Sequence, residues 1–245
     1  MKLRTRFEQA KKMKNTIIIL VMLIAGLFSC RQGSKSALNN AYIETPDSAK
    51  NIKSQKQLTN YNGTDFYTKY EYTDSIGMSL IIKNGFPRGG TKYTDPNGEV
   101  YVWAVFWTQI INETDNPLEL KIDFPVDSYE VPSLPGKYLK ILVPPDTMTL
   151  DKFSLFNYGL THLESFLDKS IHKPSSLKRT IHPKKSSGFY VVMLCLIDGA
   201  HGTMRTELSL KGQDLFYRIK IDGSKSNSKS SDKEIYCGKI NLNLK

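Results

Sequence analysis

Three cysteines, four histidines and two tryptophans in 245 residues leave little material for several kinds of site. His162, His172, His182 and His201 stand apart from one another. No His-x-His or His-x-x-x-His pair occurs and no cysteine lies beside any of them, so a metal centre would have to gather ligands from distant loops. There is no Gly-x-Ser-x-Gly, which removes the nucleophile elbow of the α/β-hydrolases. No Gly-Lys-Ser/Thr follows a glycine-rich turn, which removes the phosphate-cradling P-loop; the stretch Asn84-Gly85-Phe86-Pro87-Arg88-Gly89-Gly90 therefore reads as a plain loop. Asp146, Asp151 and Glu164 are carboxylates of the kind a glycosidase sets across a sugar cleft. Capping and loop solvation account for them better, and no catalytic residue, metal or cofactor is assigned. No apolar run reaches the roughly 20 residues that a spanning helix needs; the longest, Ile17 to Phe28, has twelve.

What is present begins with that run. Lys2, Arg4, Arg6, Lys11, Lys12 and Lys14 precede it, the arrangement of a secretory leader rather than a permanent span. Met13 offers a second start that would leave a shorter basic region. The run ends in Leu27-Phe28-Ser29-Cys30, which resembles a bacterial lipobox, with Phe28 bulkier than usual. The resemblance implies cleavage before Cys30, a diacylglyceryl group on its thiol and an acyl chain, such as palmitate, on its amine. Several acyl chains anchor firmly because each buried CH₂ contributes about 0.8 kcal/mol. Arg31, rather than aspartate, after the cysteine implies the outer membrane by enteric sorting rules. Gln32-Gly33-Ser34-Lys35 lacks the acidic cluster linked to surface export, so a periplasm-facing molecule is expected.

The formal charge is +10, but residues 1–29 hold six Lys/Arg and one Glu, so a chain cleaved before Cys30 carries +5. That charge is scattered, which argues against a nucleic-acid stripe. Residues 30–60, rich in Ser, Asn, Gln and Lys, read as a flexible tether, and 61–245 as one folded domain.

Within that domain, Phe66 to Tyr72 alternates as a half-buried strand does, and Met78 to Lys83 is a second candidate. Val100 to Ile111 is apolar on both faces, which predicts a central strand covered twice. After a turn at Asn112 to Pro117, Leu118, Leu120, Ile122 and Phe124 alternate with polar residues, which predicts an antiparallel hairpin with the preceding strand. The prolines of 125–149 leave room for one short strand, Tyr138 to Val143. Phe153, Phe156, Leu160, Leu163 and Leu167 recur at helical steps, broken near Gly159, with capping-box spacing at Thr161-His162-Leu163-Glu164. Two helical pieces are expected in 149–171. Further strands follow: Phe189 to Ile197, apolar on both faces, then Met204 to Leu210, Leu215 to Ile221 and Ile235 to Leu244. The sum is a mainly β chain, an antiparallel Ig-like β-sandwich with a short helical insertion. The immunoglobulin Cys–Trp–Cys order itself is absent.

Candidate sites are few. Tyr101, Trp103 and Trp107 share one face of the central strand. Left open, that face is a platform for stacking on sugar rings; covered by Phe153, Phe156 and Phe166, it is a second core layer, the reading preferred here. Cys195 and Cys237 remain once Cys30 is lipidated; an oxidising compartment permits a bridge between them, and two separate buried thiols are the alternative. Ser48, Ser75 and Thr147 sit in Asp-Ser/Thr-apolar triplets that resemble a bacterial O-glycosylation pattern. Asn112-Glu113-Thr114 has the eukaryotic sequon, a pathway the lipobox makes irrelevant.

The segment from Asn84–Gly90 through Asn112-Glu113-Thr114 and Leu118-Glu119-Leu120, then Pro144-Pro145-Asp146-Thr147-Met148 and Tyr236-Cys237-Gly238, resembles a family of exported lipoproteins of the Bacteroidota type to which no activity is assigned. The resemblance implies a location and no chemistry. The expectation is a lipid-anchored, non-enzymatic binding module of the cell envelope, whose partners are the membrane and an envelope protein or glycan, with no nucleic acid. The alternatives are an envelope enzyme acting on glycan or peptide, and a structural subunit of an outer-membrane complex.

Overall fold

The computed structural model describes residues 52–59, 66–75, 77–127, 129–200, 202–223 and 230–242. The leader, Cys30, Ser48 and His201 lie outside them. The described strands, in chain order, are β1 (Ile52–Thr59), β2 (Thr68–Asp74), β3 (Ser79–Asn84), β4 (Arg88–Thr94), β5 (Val100–Asn112), β6 (Leu118–Phe124), β7 (Tyr129–Glu130), β8 (Tyr138–Leu142), β9 (Thr147–Met148), β10 (Ser175–Ile181), β11 (Ser186–Leu196), β12 (Thr203–Lys211), β13 (Asp214–Asp222) and β14 (Ser231–Leu242). They form two antiparallel sheets, each curled like half a barrel. The first runs β1-β2-β3-β5-β11-β8-β7, with β4 also on β5 and β9 on β11; the second runs β10-β6-β14-β13-β12.

The two strands that are apolar on both faces find each other. β11 pairs with β5 from Ser186↔Ile111 to Leu196↔Tyr101. A strand buried on both sides needs cover above and below, and β5 has it. Phe106 and Ile110 join Val191 and Met193 of β11 in a core shared with Leu120, Ile122, Leu208, Tyr217 and Ile240 of the second sheet. Trp103, Val105 and Trp107 turn the other way, into a core closed by Tyr158, Leu163 and Leu167 of the insertion.

Several expectations are corrected. β5 and β6 are not a hairpin: β6 lies in the second sheet, between β10 and β14. Asn112 steers the crossing. Fully buried, it donates to the carbonyls of Asn116 at 2.8 Å and Ile181 at 3.0 Å, while its Oδ1 accepts from the Thr114 N–H at 2.9 Å. The tether does not reach residue 60, because Ile52–Thr59 pairs with β2; an edge strand asks only for backbone partners, which a polar sequence supplies as well as an apolar one. Gly85 to Pro87 is a break in one long run beside β5 rather than an open loop, since β3 and β4 both lie antiparallel on β5.

Cys195 and Cys237 are two free buried thiols and the bridge is not formed. They sit on different sheets, and the Cys237 Sγ donates instead to the Leu215 carbonyl at 3.4 Å.

The insertion consists of 3-10 turns at Leu150–Lys152 and Phe156–Gly159 and helix α1 (Leu163–Ser170). Thr161 does not cap α1. The N-cap is His162, in the left-handed conformation at φ 55°, with no side-chain capping bond.

Candidate binding pocket

Between the two sheets the core opens into a pocket of about 320 Å³. Its first wall comes from Gly89 and Gly90 of β4, Val102 and Ala104 of β5, and Met193 and Cys195 of β11. The opposing wall is Met204 of β12 and Ile221 of β13, and the 3-10 turn Ile197–Gly199 closes one side. These positions follow from strand alternation: Ala104, Met193 and Met204 continue the shared core to the point where, among the described residues, no further side chain fills it.

Two glycines in the lining hold close backbone approaches. Gly89 has φ +116°, and a Cβ there would come within 2.6 Å of the Trp103 ring. Gly202 has φ +93°, and a Cβ there would meet the Asp222 carbonyl oxygen at 2.1 Å. A larger residue at either position would displace the wall it belongs to.

The pocket is nearly without charge. Arg88 contributes to its rim, but the guanidinium lies 4.1 Å from the Tyr158 ring centroid and donates to the Leu155 carbonyl, so its charge is committed to the insertion. Cys195 is 7% exposed, and burial pushes its thiol up to about 11. A thiol protonated at neutral pH lines the pocket as an apolar group and is alkylated only slowly. A mostly apolar concavity of this size is suited to holding one apolar group.

The sugar-stacking platform does not exist as a surface. Tyr101, Trp103 and Trp107 are 2%, 6% and 2% exposed. Phe153 meets Trp107 edge-on at 5.9 Å, and Tyr158 does so at 6.3 Å. Phe166 packs against the same cluster, whereas Phe156, expected to cover it, is 75% exposed. Tyr158 turned inward in its place, at a left-handed φ of 57° that helical spacing does not signal.

Other chemistry-bearing residues are held in structural roles. The Asp95 side chain is fully buried; Oδ1 accepts from the Asn97 and Glu99 N–H groups at 3.0 and 2.8 Å, and Oδ2 stands 3.0 Å from His172 Nε2. This pins the turn between β4 and β5 to the end of α1. Tyr93 donates to Asp168 at 2.7 Å and Tyr101 to Glu99 at 2.8 Å. Burial first, and then those carboxylates, raise both phenols. Asp146, Asp151 and Glu164 are exposed on three different elements, and of them only Asp146 lines the shallow cleft beside His162 and Lys169. Ser75 and Thr147 are both exposed, in the β2–β3 turn and on β9. Among the described residues no group of three or more His, Cys, Asp or Glu is placed to hold a metal ion.

The residues that line the pocket were not singled out from the sequence. They come from two stretches distant in sequence, residues 87–104 and 193–221, and their one local signal is the glycine at Gly89, Gly90, Gly199 and Gly202. No family model, characterised protein or solved structure matches the chain.

Proposed function

We propose that the chain is a lipid-anchored, non-enzymatic binding module of the bacterial envelope, and that its ligand site is the pocket between the sheets. In this reading residues 1–29 are removed as a lipoprotein leader, and Cys30 carries the acyl chains in the outer membrane, on the periplasmic side. The folded part is taken as an Ig-like β-sandwich in the broad sense of two antiparallel sheets over one core, in keeping with the resemblance to exported Bacteroidota-type lipoproteins. The observation that carries the binding role is the apolar pocket of about 320 Å³ with Cys195 in its wall. Asp95 and His172 meet at a buried turn, and Asp168 and Glu99 accept from Tyr93 and Tyr101, which favours binding over catalysis for these groups.

Two measurements test this. Cys30→Ser should abolish incorporation of radiolabelled palmitate, and labelling that persists refutes the lipid site. For the pocket, N-ethylmaleimide labelling of Cys195 is followed by peptide mass in intact envelopes and in the purified chain. Occupancy by an envelope ligand should slow labelling in envelopes at least about tenfold, and Met204→Trp, which fills the pocket, should slow it in both settings. Equal rates in envelopes and in the purified chain would remove the pocket as the ligand site.

A further inference from the structure

We propose that the pocket takes one side chain of an extended, acidic polypeptide segment, which adds as a new strand to the edge of β4 left unpaired among the described residues. This rests on the reading of the pocket as the ligand site. Among the described residues β4 has β5 as its only strand neighbour, because β2 covers β3 and stops at Thr68. Unpaired among the described residues, this edge offers backbone N–H and C=O groups at the spacing that an extended chain recognises.

The edge and the pocket belong to one site. Gly89 and Gly90 line the pocket, and the irregularity in pairing lies between Gly89 and Thr91, so Thr91 to Thr94 stay in regular register on Trp103 to Val100. Residues directly opposite in a ladder point to the same face. Lys92 lies opposite Val102, a pocket residue, and so projects on the pocket side. An added strand thus places one side chain beside Lys92 and another, two positions away, over the pocket beside Gly90.

Charge selects the occupant. Lys92 is exposed and is the one charged residue from Gly89 to Thr94. A lone lysine on an open edge disfavours pairing with a second copy of the same edge and favours an acidic strand. The recognised pattern is an apolar residue two positions from Asp or Glu, in extended conformation.

The test uses the full lipidated chain in nanodiscs of phosphatidylethanolamine and phosphatidylglycerol, against a phage-displayed library of linear dodecapeptides. Selected peptides should carry the apolar-x-acidic pattern and should shield Cys195 from N-ethylmaleimide. Synthetic copies N-methylated on alternate residues should lose at least about tenfold in affinity in one phase and keep it in the other, because every second N–H of an added strand faces β4. Lys92→Glu, an exposed substitution, should weaken them about fivefold, and more at low ionic strength. A library that yields no binder, equal loss in both methylation phases, or indifference to Lys92→Glu overturns the proposal. Should decanoate shield Cys195 where peptides do not, the pocket stands and its ligand is not a strand. Should Cys195 react equally in envelopes, in the purified chain and with every probe, the pocket reading falls as well.

Discussion

Asn84 is a strand residue that finishes the edge of the other sheet. Its Oδ1 accepts the Leu208 N–H at 2.8 Å and its Nδ2 donates to the Leu208 carbonyl at 3.1 Å, as a neighbouring strand would do. Thr108 and Thr68 hold the amide in place, each at 3.1 Å, and the Tyr72 hydroxyl continues the capping by accepting the Leu210 N–H at 2.7 Å. Asn84→Ala leaves a buried N–H and carbonyl of β12 without partners. It should cost about 3 kcal/mol in urea unfolding, and a loss under about 1 kcal/mol would show that water replaces the amide. The two thiols predict a pH dependence. Burial raises Cys195 from 9.0 to about 11 and raises Cys237 as well. Above pH 9 the unfolded chain releases protons that the folded chain retains, so this stabilisation is complete below pH 9 and is lost as pH rises towards 11. For Cys195 the loss is at most about 2–3 kcal/mol. Urea midpoints measured from pH 7 to 11 should start to fall near pH 9, and in the Cys195→Ala, Cys237→Ala double variant only near pH 10, where free phenols ionise. An unchanged onset would show that the thiols are not the cause.

The insertion is the element where local rules and packing disagree. Asn157, Tyr158 and His162 have φ of 49°, 57° and 55°, in the region that costs a non-glycine residue about 1 kcal/mol or more. For Tyr158 the strain is offset by burial and by two bonds: its hydroxyl donates to the Phe86 carbonyl at 2.7 Å, and its own carbonyl accepts from Tyr190 at 2.8 Å. His162 is exposed, shows no such compensation and leaves α1 uncapped. His162→Asn, which tolerates the left-handed conformation and caps, should raise stability by about 0.5–1 kcal/mol. Thermal unfolding of the two chains decides it, and a lower midpoint in the variant would mean that the imidazole has a role its contacts do not reveal. Much at this scale was legible in the sequence. Val100–Ile111 and Phe189–Ile197 had to be central because both faces are apolar, and helical spacing placed the insertion. Alternation reports which face of a strand is buried but not which strand lies beside it. Alternation alone therefore puts β6 in a hairpin with β5, and helical spacing alone offers Phe156 as cover where the strained backbone turns Tyr158 in instead.

At the scale of the whole molecule the pocket was illegible for a related reason. Its walls are ordinary core positions that become a concavity only where two sheets diverge, and no local pattern marks that point. The domain boundary was misplaced for the opposite reason: β1 is so polar that composition assigns it to the tether, yet Gln55 to Thr59 pair in unbroken register with Tyr72 to Thr68. A ladder of this length joins the cooperative unit if removing it exposes β2, whose Tyr70 and Tyr72 belong to the shared core. Chains beginning at residues 52 and 61 therefore make a decisive pair. The longer chain should be more stable by about 2–4 kcal/mol, the net contribution of several backbone bonds and an edge removed from water. It should also unfold with a larger urea m-value, since more surface is buried. Were the two chains to unfold at the same urea concentration with the same slope, β1 would be an appendage to the sheet, and the tether expected from composition would extend to residue 60 after all.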